Sequence, residues 1–462
     1  VRVALRFHAG TLLLVLPADL PSPFDPGEGW AWDDRVGRWR ARADRYRERF
    51  AELYRRAGHG EFELVDEARG YQNLPLELHD GRTPRSYQRE AILAWERAGR
   101  RGQIVLPTGA GKSFVAFLAM QSAARSTLIV VPTIDLMHQW QRSLLEAFAV
   151  DRIGQLGGGA HELEEITVST YDSAALHLDR YGDRFGLIIW DECHHLPGPT
   201  YLEASSFAIA PFRLGLTATP ERQDGRESLL DEAVGPICYR LGIREMAGEV
   251  LADYEVCRIP VDLTPEEEET YRTERELYRA FVRSRGIRFD RPDGWSRFIQ
   301  LSARSRDGRR AMRAFRAQRR IALTCDGKLE LVEELLAQHR EDRAIVFTND
   351  NDTVYALSRR LLVPCITHQT PTAERREILE RFRDGTYRAV LTSRVLNEGV
   401  DVPEAGVAIV LSGTGSVREH VQRLGRILRR DGDKQAVLYE LVTAGTVEEH
   451  VSTRRREHDA YR

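Results

Sequence analysis

The sequence predicts an α/β protein: two domains, each built on a doubly wound parallel sheet, a basic helical segment between them, and a small α+β unit in front. Three observations lead there. From Thr83 to about Tyr239, short apolar runs alternate with helical segments, and the same alternation returns from about Lys328 to the end. Strands buried on both faces and separated by helices assemble into parallel sheets. Only the first series carries a glycine-rich stretch between a strand and a helix. Between the two series the composition shifts towards arginine interleaved with aromatics. A length of 462 residues suits about three domains at ~150 residues each. Boundaries at 1–78, 79–245, 246–325 and 326–462 follow from these shifts.

In the leading unit, Val1–Phe7 and Thr11–Leu16 read as strands joined at His8-Ala9-Gly10, a hairpin. A helix is expected over about Arg35–Arg56, because Trp39, Ala43, Tyr46, Phe50 and Leu53 recur at helical spacing. Arg38, Arg42, Arg45 and Arg49 line another face of it, and a solvated cationic face accounts for them more simply than DNA contact does. The strands of the first α/β series are Gln103–Leu106, Thr127–Val131, Ile166–Ser169, Leu187–Trp190 and Arg213–Leu216. Those of the second are Ala344–Phe347, Ala389–Leu391, Val407–Leu411 and Ala436–Glu440.

The segment between them opens with an acidic helix over Thr264–Tyr278. Arg279–Arg320 then holds 14 arginines against Asp290, Asp293 and Asp307, a net charge of +11, with Phe281, Phe289, Trp295, Phe298 and Phe315 among them. Arginine with aromatics suits nucleic acid, through phosphate pairing and base stacking. A solvated helical hairpin with its aromatics packed inward explains each residue alone. The local charge exceeds what solubility requires, so contact with nucleic acid is expected here, with Arg283, Arg285 and Trp295 as candidate contacts.

Global charge adds nothing to this: 67 basic and 70 acidic residues leave a net of −3. No run of ~18 apolar residues is present, so no membrane span is expected. Thr11–Leu16 is too short for an export signal and has acidic residues soon after, which makes the cytoplasm, beside the nucleoid, the expected location. Cys193, Cys238, Cys257, Cys325 and Cys365 are scattered and odd in number, without a CxxC pair. They suggest neither a disulfide framework nor a zinc or iron–sulfur site.

The chemistry is carried by a few short motifs. Leu106-Pro107-Thr108-Gly109-Ala110-Gly111-Lys112-Ser113 follows a strand and opens a helix, the setting a phosphate loop requires. Backbone N–H groups of Gly109 to Ser113 can wrap phosphates at the helix's positive end, and Ser113 can offer its hydroxyl to Mg²⁺. The usual pattern has glycine where Leu106 stands. Lys112 is one of only three lysines, with Lys328 and Lys434, among the 67 cationic residues. A compact ammonium reaches between two phosphates as a point charge, where a planar guanidinium is too wide. The arginine bias itself carries no function.

Asp191-Glu192 ends the strand Leu187–Trp190, where open α/β sheets place ligands. Asp191 can hold Mg²⁺ and Glu192 can polarise an attacking water as general base. His194 and His195 follow. Without further ligands at zinc spacing they suggest hydrogen bonding within the nucleotide cleft rather than metal ligation.

Taken in order, Arg85-Ser-Tyr-Gln88, Pro107-Thr-Gly-Ala-Gly-Lys-Ser113, Asp191-Glu-Cys-His194, Thr217-Ala-Thr219 and Gln422-Arg-Leu-Gly-Arg-Ile-Leu-Arg429 resemble the motifs of superfamily 2 helicases. With Ile129-Val-Val-Pro-Thr133, Val168-Ser-Thr-Tyr-Asp-Ser173, Ala210-Pro-Phe-Arg-Leu-Gly-Leu-Thr-Ala-Thr219 and Leu396-Asn-Glu-Gly-Val-Asp-Val-Pro403, the chain resembles the archaeal and bacterial XPB DNA helicases from about residue 83 to 445. The resemblance implies two RecA-like domains, with the leading unit and the basic segment where that family has its damage-recognition and thumb domains. It implies ATP and Mg²⁺ as cofactors, DNA as partner, and 3′ to 5′ movement in nucleotide excision repair. A nuclease partner is also implied, as in archaeal relatives.

By the same resemblance Gln88 reads adenine, with Arg85 beside it, and Thr108 and Ala110 belong to the phosphate loop. His194, Thr217 and Thr219 couple hydrolysis to domain closure. Gly399, Asp401 and Gln422 belong to the second domain's nucleotide- and strand-facing motifs. Arg426 and Arg429 are arginine fingers that reach the γ-phosphate on closure. Thr133 and Thr170 lie in strand-contacting motifs. One departure stands out: the family's Arg-Glu-Asp triplet, associated with strand separation, is Arg222-Gln223-Asp224 here. ATPase activity is expected to survive that loss of charge, whereas robust unwinding is not assured. Two rivals stay open: an RNA-dependent ATPase of the same superfamily, and a DNA-binding scaffold that uses ATP only as a switch.

Overall fold

A computed structural model describes residues 2–17, 24–79, 81–220, 225–246, 254–291, 293–393, 405–412 and 436–449. The chain divides into two compact units, Val1–Gly242 and Ile243–Arg462.

The first unit begins with a five-stranded sheet. β1 (Arg2–His8) and β2 (Thr11–Val15) form the expected antiparallel hairpin, turned through Ala9 and Gly10, both at positive φ. A Cβ on Gly10 would lie 2.8 Å from the Phe207 ring, so only glycine fits that turn. β3 (Ala31–Asp33) and β4 (Arg38–Arg42) extend the sheet beyond β2. α1 (Tyr46–Gly58) covers it, and β5 (Glu63–Glu67) pairs parallel to β1, giving the order β3-β4-β2-β1-β5.

The helix expected from Arg35 therefore starts only at Tyr46, and Arg38–Arg42 is a strand. Trp39 and Ala41 alternate along β4 opposite Leu14 and Leu12, and Trp39 also packs edge-on against Trp32 at 5.5 Å. Of the arginines expected on one helix face, Arg38 and Arg42 lie on β4, Arg45 at the N-cap of α1, and Arg49 within α1. Arg42 and Arg45 pair with Glu232, and Arg49 with Glu52, 2.8 Å apart.

The second layer of the first unit is an eight-stranded sheet. α2 (Ser86–Arg97) precedes β6 (Arg101–Val105), α3 (Lys112–Ala123), β7 (Thr127–Val131) and α4 (Ile134–Ala147). β8 (Gly154–Gly157), β9 (Ala160–Glu162), β10 (Ile166–Thr170), α5 (Tyr171–Tyr181) and β11 (Leu187–Asp191) follow. α6 (Pro199–Ser205), β12 (Phe212–Thr217), α7 (Ser228–Ala233) and β13 (Ile237–Arg240) complete it. The order is β13-β6-β12-β11-β7-β10-β8-β9, parallel throughout except for β9.

Every residue of β7, β10, β11 and β12 is buried, as a sheet covered on both faces demands. Arg213 of β12 is wholly buried too. Its guanidinium donates to the carbonyls of Ser205, Ala208, Ala210 and Ala233, and burial pushes its pKa down to about 10. The fork of donors ties α6 and α7 to the sheet.

The second unit holds α8 (Ile243–Met246), β14 (Tyr254–Val261), α9 (Pro265–Ser284), α10 (Gly294–Arg304) and α11 (Arg306–Thr324). Next come α12 (Asp326–Gln338), β15 (Ala344–Phe347), α13 (Asn351–Leu361), β16 (Cys365–Ile366), α14 (Thr372–Arg383), β17 (Ala389–Thr392), β18 (Val407–Val410) and β19 (Ala436–Thr443). The sheet runs β14-β19-β18-β15-β17-β16, all parallel. β14 thus brings part of segment 246–325 into this sheet, a strand with no counterpart in the sequence reading.

Helices α9, α10 and α11 pack on one another. Phe281 and Phe298 are buried between them, with Phe315 partly so, while Phe289 and Trp295 stay half-exposed. Three of the five interleaved aromatics are therefore core. All 14 arginines of 279–320 are exposed. Among the described residues only Arg288 and Arg310 of them form ion pairs, with Asp290 and Glu274.

Candidate functional site

Register brings the first-domain motifs together. β6 pairs with β12, with Val105 opposite Thr217, and β12 pairs with β11, with Leu216 opposite Asp191. The three loops leaving these strands therefore start side by side at the carboxyl edge of the sheet. There the phosphate loop, the acidic pair and the Thr217–Thr219 segment meet.

Gly109 and Gly111 take φ of 88° and 76°, a left-handed path that side chains resist, and Gly111 is the N-cap of α3. The turn aims the first N–H groups of α3 into the loop, an anion cradle by construction. Lys112 extends across it. Its Nζ donates to the Leu106 carbonyl at 3.4 Å and lies 4.0 Å from Glu192 Oε1. Ser113 is exposed beside it, while Thr108 is half-buried and Ala110 buried. Gln88 packs onto the loop: its amide donates to the Ala110 carbonyl at 3.3 Å and accepts from the backbone N–H of Arg85. Tyr87 donates to the same carbonyl at 2.7 Å. Gln88 and the loop are thus in contact, with Arg85 exposed at the N-cap of α2.

The Asp191 carboxylate is held from two sides. Oδ1 accepts from the Glu192 N–H at 3.0 Å, and Oδ2 from the Trp140 indole at 2.9 Å. Burial and the neighbouring Glu192 charge push its pKa up to about 6, against the lowering effect of Lys112 and the two hydrogen bonds. Glu192 sits at φ 47°, a strained conformation for a side chain, with its Oε1 facing the Lys112 ammonium. On its other side Glu192 Oε2 is 3.4 Å from His194 Nδ1, and His194 Nδ1 is 3.0 Å from Thr217 Oγ1. Thr217 Oγ1 in turn accepts from the Thr219 N–H. A continuous chain of contacts so runs from Lys112 through Glu192 and His194 to Thr219.

Hard oxygen donors suit Mg²⁺. Ser113 supplies a hydroxyl. Each Asp191 oxygen keeps a second lone pair after its one hydrogen bond. Glu192 Oε2 is buried without a hydrogen-bond partner. A buried acid and a partly buried one next to it, with a single ammonium beside them, form a set that a divalent cation relieves. The residues fit the ion.

Thr133 and Thr170 prove to be helix N-caps. Thr133 Oγ1 accepts from Leu136 N–H at the start of α4, and Thr170 Oγ1 from Ser173 N–H at the start of α5. Each stands just beyond or at the carboxyl end of a strand, Thr133 after β7 and Thr170 at the end of β10. In the second unit Arg283, Arg285 and Trp295 are exposed, with the Arg285 guanidinium over the Phe281 ring at 5.7 Å. Arg222, Gln223, Asp224, Gly399, Asp401, Gln422, Arg426 and Arg429 lie outside the described residues. Trp140 is the site residue the sequence did not suggest. Its only signal is a tryptophan two turns into the helix after Thr133, which reads as core.

Three stretches of the chain match known families. Residues 5–60 match the xeroderma pigmentosum group B helicase damage recognition domain, and residues 310–459 the ERCC3/RAD25/XPB C-terminal helicase domain. Residues 82–222 match the res subunit of type III restriction enzymes. The chain is 41% identical to the DNA 3'-5' translocase XPB2 of Sulfurisphaera tokodaii, over 98% of this chain and 100% of that one. It is 32% identical to the DNA 3'-5' helicase XPB of Mycobacterium tuberculosis, over 83% of this chain and 65% of that one. In fold, the Pyrococcus furiosus Hef helicase domain is similar over 80% of this chain and 97% of that one, with a TM-score of 0.54 at 19% identity. No helix among the described residues is long and apolar enough to cross a membrane. On the match over nearly its whole length, together with two domain matches specific to that group, the chain belongs to the XPB family of helicases.

Proposed function

We propose that this chain is an ATP- and Mg²⁺-dependent DNA motor of the XPB type, moving 3′ to 5′ on DNA in nucleotide excision repair. One observation carries the reading: Lys112, Asp191, Glu192, His194 and Thr217 meet in one connected cluster at the carboxyl edge of the first sheet. The N–H groups of Gly109 to Ser113 and the Lys112 ammonium bind the β- and γ-phosphates. Ser113 and Asp191 would hold Mg²⁺, which supplies charge neutralisation at the phosphates. Glu192 orients the attacking water and takes its proton. Through His194 the state of Glu192 is felt at Thr217 and Thr219, so that occupancy of the site can alter the segment that follows. Gly399, Asp401, Gln422, Arg426 and Arg429 join the nucleotide site on sequence grounds. Thr133, Thr170 and the exposed arginines of 279–320 contact the DNA backbone, and a nuclease partner fits the family.

The test is ATPase stimulation by DNA and RNA oligonucleotides of one sequence. DNA is expected to stimulate severalfold more. Affinity should fall with salt at a log–log slope of about −0.9 per duplex phosphate neutralised. Equal stimulation by RNA would instead favour an RNA-dependent ATPase.

Gln223 supports a second reading within this one, translocation on duplex DNA without robust unwinding. Gln223→Glu is then expected to raise strand displacement on forked DNA severalfold at an unchanged ATPase rate. Efficient displacement by the wild-type protein, with no gain in the variant, would remove that reading.

A further inference from the structure

Trp140 is 2% exposed and sits where three functional segments meet. It lies on α4, two turns or about 10 Å from the Thr133 N-cap. Its ring packs edge-on against Phe117 of α3, the helix that begins at Lys112, with centroids 5.9 Å apart. Its indole N–H donates to Asp191 Oδ2 at 2.9 Å. A buried indole usually finds an acceptor, and a backbone carbonyl suffices. Trp95 in the same unit does this, donating to the Arg213 carbonyl, and the Trp190 indole N–H is buried with no partner at all. Packing alone therefore does not require that Trp140 reach a carboxylate.

We propose that Trp140 is a positioning residue for ATP hydrolysis: its indole fixes the orientation of the Asp191 carboxylate and links it to the strand-facing end of α4. The inference rests on the reading of Asp191 as a Mg²⁺ ligand and of Thr133 as a DNA contact. A carboxylate held through both oxygens cannot rotate about its last bond, so its remaining lone pairs keep fixed directions. A small shift of α4 on DNA binding moves the indole, and the carboxylate follows. DNA contact at the N-terminal end of a rigid helix thereby tunes the metal site two turns along it.

The experiment uses the full chain and Trp140→Phe, which keeps the ring against Phe117 and removes the N–H. The Mg²⁺ concentration for half-maximal ATPase is expected to rise about 10-fold, the low end for loss of an outer-shell partner. Stimulation by DNA should fall at least severalfold, while DNA affinity and melting temperature stay near wild type. Trp140→His, which restores a ring N–H, should recover part of the Mg²⁺ shift, as a packing role would not.

In the unmodified protein, Mg²⁺ with a non-hydrolysable ATP analogue should slow hydrogen exchange across residues 134–147, and this reading holds even if the variants do not fold. Wild-type Mg²⁺ and DNA dependence in Trp140→Phe, or exchange across 134–147 unchanged by Mg²⁺ and nucleotide, overturns the proposal. Asp191→Asn separates the two levels. If it is inactive while Trp140→Phe behaves as wild type, only the Trp140 link fails. If it keeps Mg²⁺-dependent ATPase, the underlying reading of the site fails.

Discussion

Glu192→Gln is expected to lower the kcat of DNA-stimulated ATP hydrolysis by about 10²–10⁴-fold while leaving ATP binding nearly intact. The amide matches the carboxylate in shape and keeps the strained turn, but it cannot accept the proton of an attacking water. Glu192 is also the link between Lys112 and His194, at 4.0 and 3.4 Å. Neutralising it weakens the path to Thr217, so ATP-dependent change in DNA affinity should be blunted as well. Lys112→Ala should differ in kind, because it removes the point charge that the phosphates meet on arrival. Nucleotide affinity and kcat are then both expected to fall. Binding of a fluorescent nucleotide beside single-turnover hydrolysis separates the two patterns. Glu192→Gln protein that hydrolyses ATP at the wild-type rate would remove the general base from Glu192 and the motor from this site.

How much of this was legible depended on whether one residue or a spatial neighbour carried the information. Thr127–Val131 was read to the residue, because four successive apolar residues after Thr127, all buried, are bounded by Ser126 and Pro132. The phosphate loop and Asp191-Glu192 were legible for the same reason: each motif sits whole at one strand end. The expected helix over Arg35–Arg56 failed in its first half. Trp39 and Ala41 face one side of a strand, and Trp39, Ala43 and Tyr46 fall at helical spacing by accident across the turn into α1.

The aromatics of the basic segment misled in another way. Sequence placed them beside arginines, whereas three α-helices turn Phe281, Phe298 and Phe315 inward and leave the cations outside. Trp140 could not be assigned at all, since its partner Asp191 is 51 residues away and comes to it only through the pairing of β7 with β11.

Lys328→Met is expected to destabilise the second unit by ~3–5 kcal/mol, the usual effect of removing one partner from a buried ion pair. Its melting transition should drop by on the order of 10 °C. The rarity of lysine that singled out Lys112 applied equally to Lys328, and the structure gives the reason. Both Lys328 and Glu448 are completely buried, with Nζ 2.5 Å from Glu448 Oε2 and 2.8 Å from the Leu411 carbonyl. Glu448 Oε2 also accepts from the Thr443 N–H at 2.9 Å. The ammonium thus ties the start of α12 to the chain leaving β18 and to the turn after β19.

A guanidinium is planar and wider, and it would have to displace one of these partners, so even Lys328→Arg should destabilise by more than 1 kcal/mol. In Lys328→Met the stranded Glu448 charge is the main penalty. Lys328→Met with Glu448→Met should therefore recover much of the loss, giving strongly non-additive effects in a double-mutant cycle. Thermal unfolding of the four proteins measures that coupling. Additive losses would mean that the two side chains contribute by packing alone, and that lysine is retained at position 328 for a reason unrelated to its pairing with Glu448.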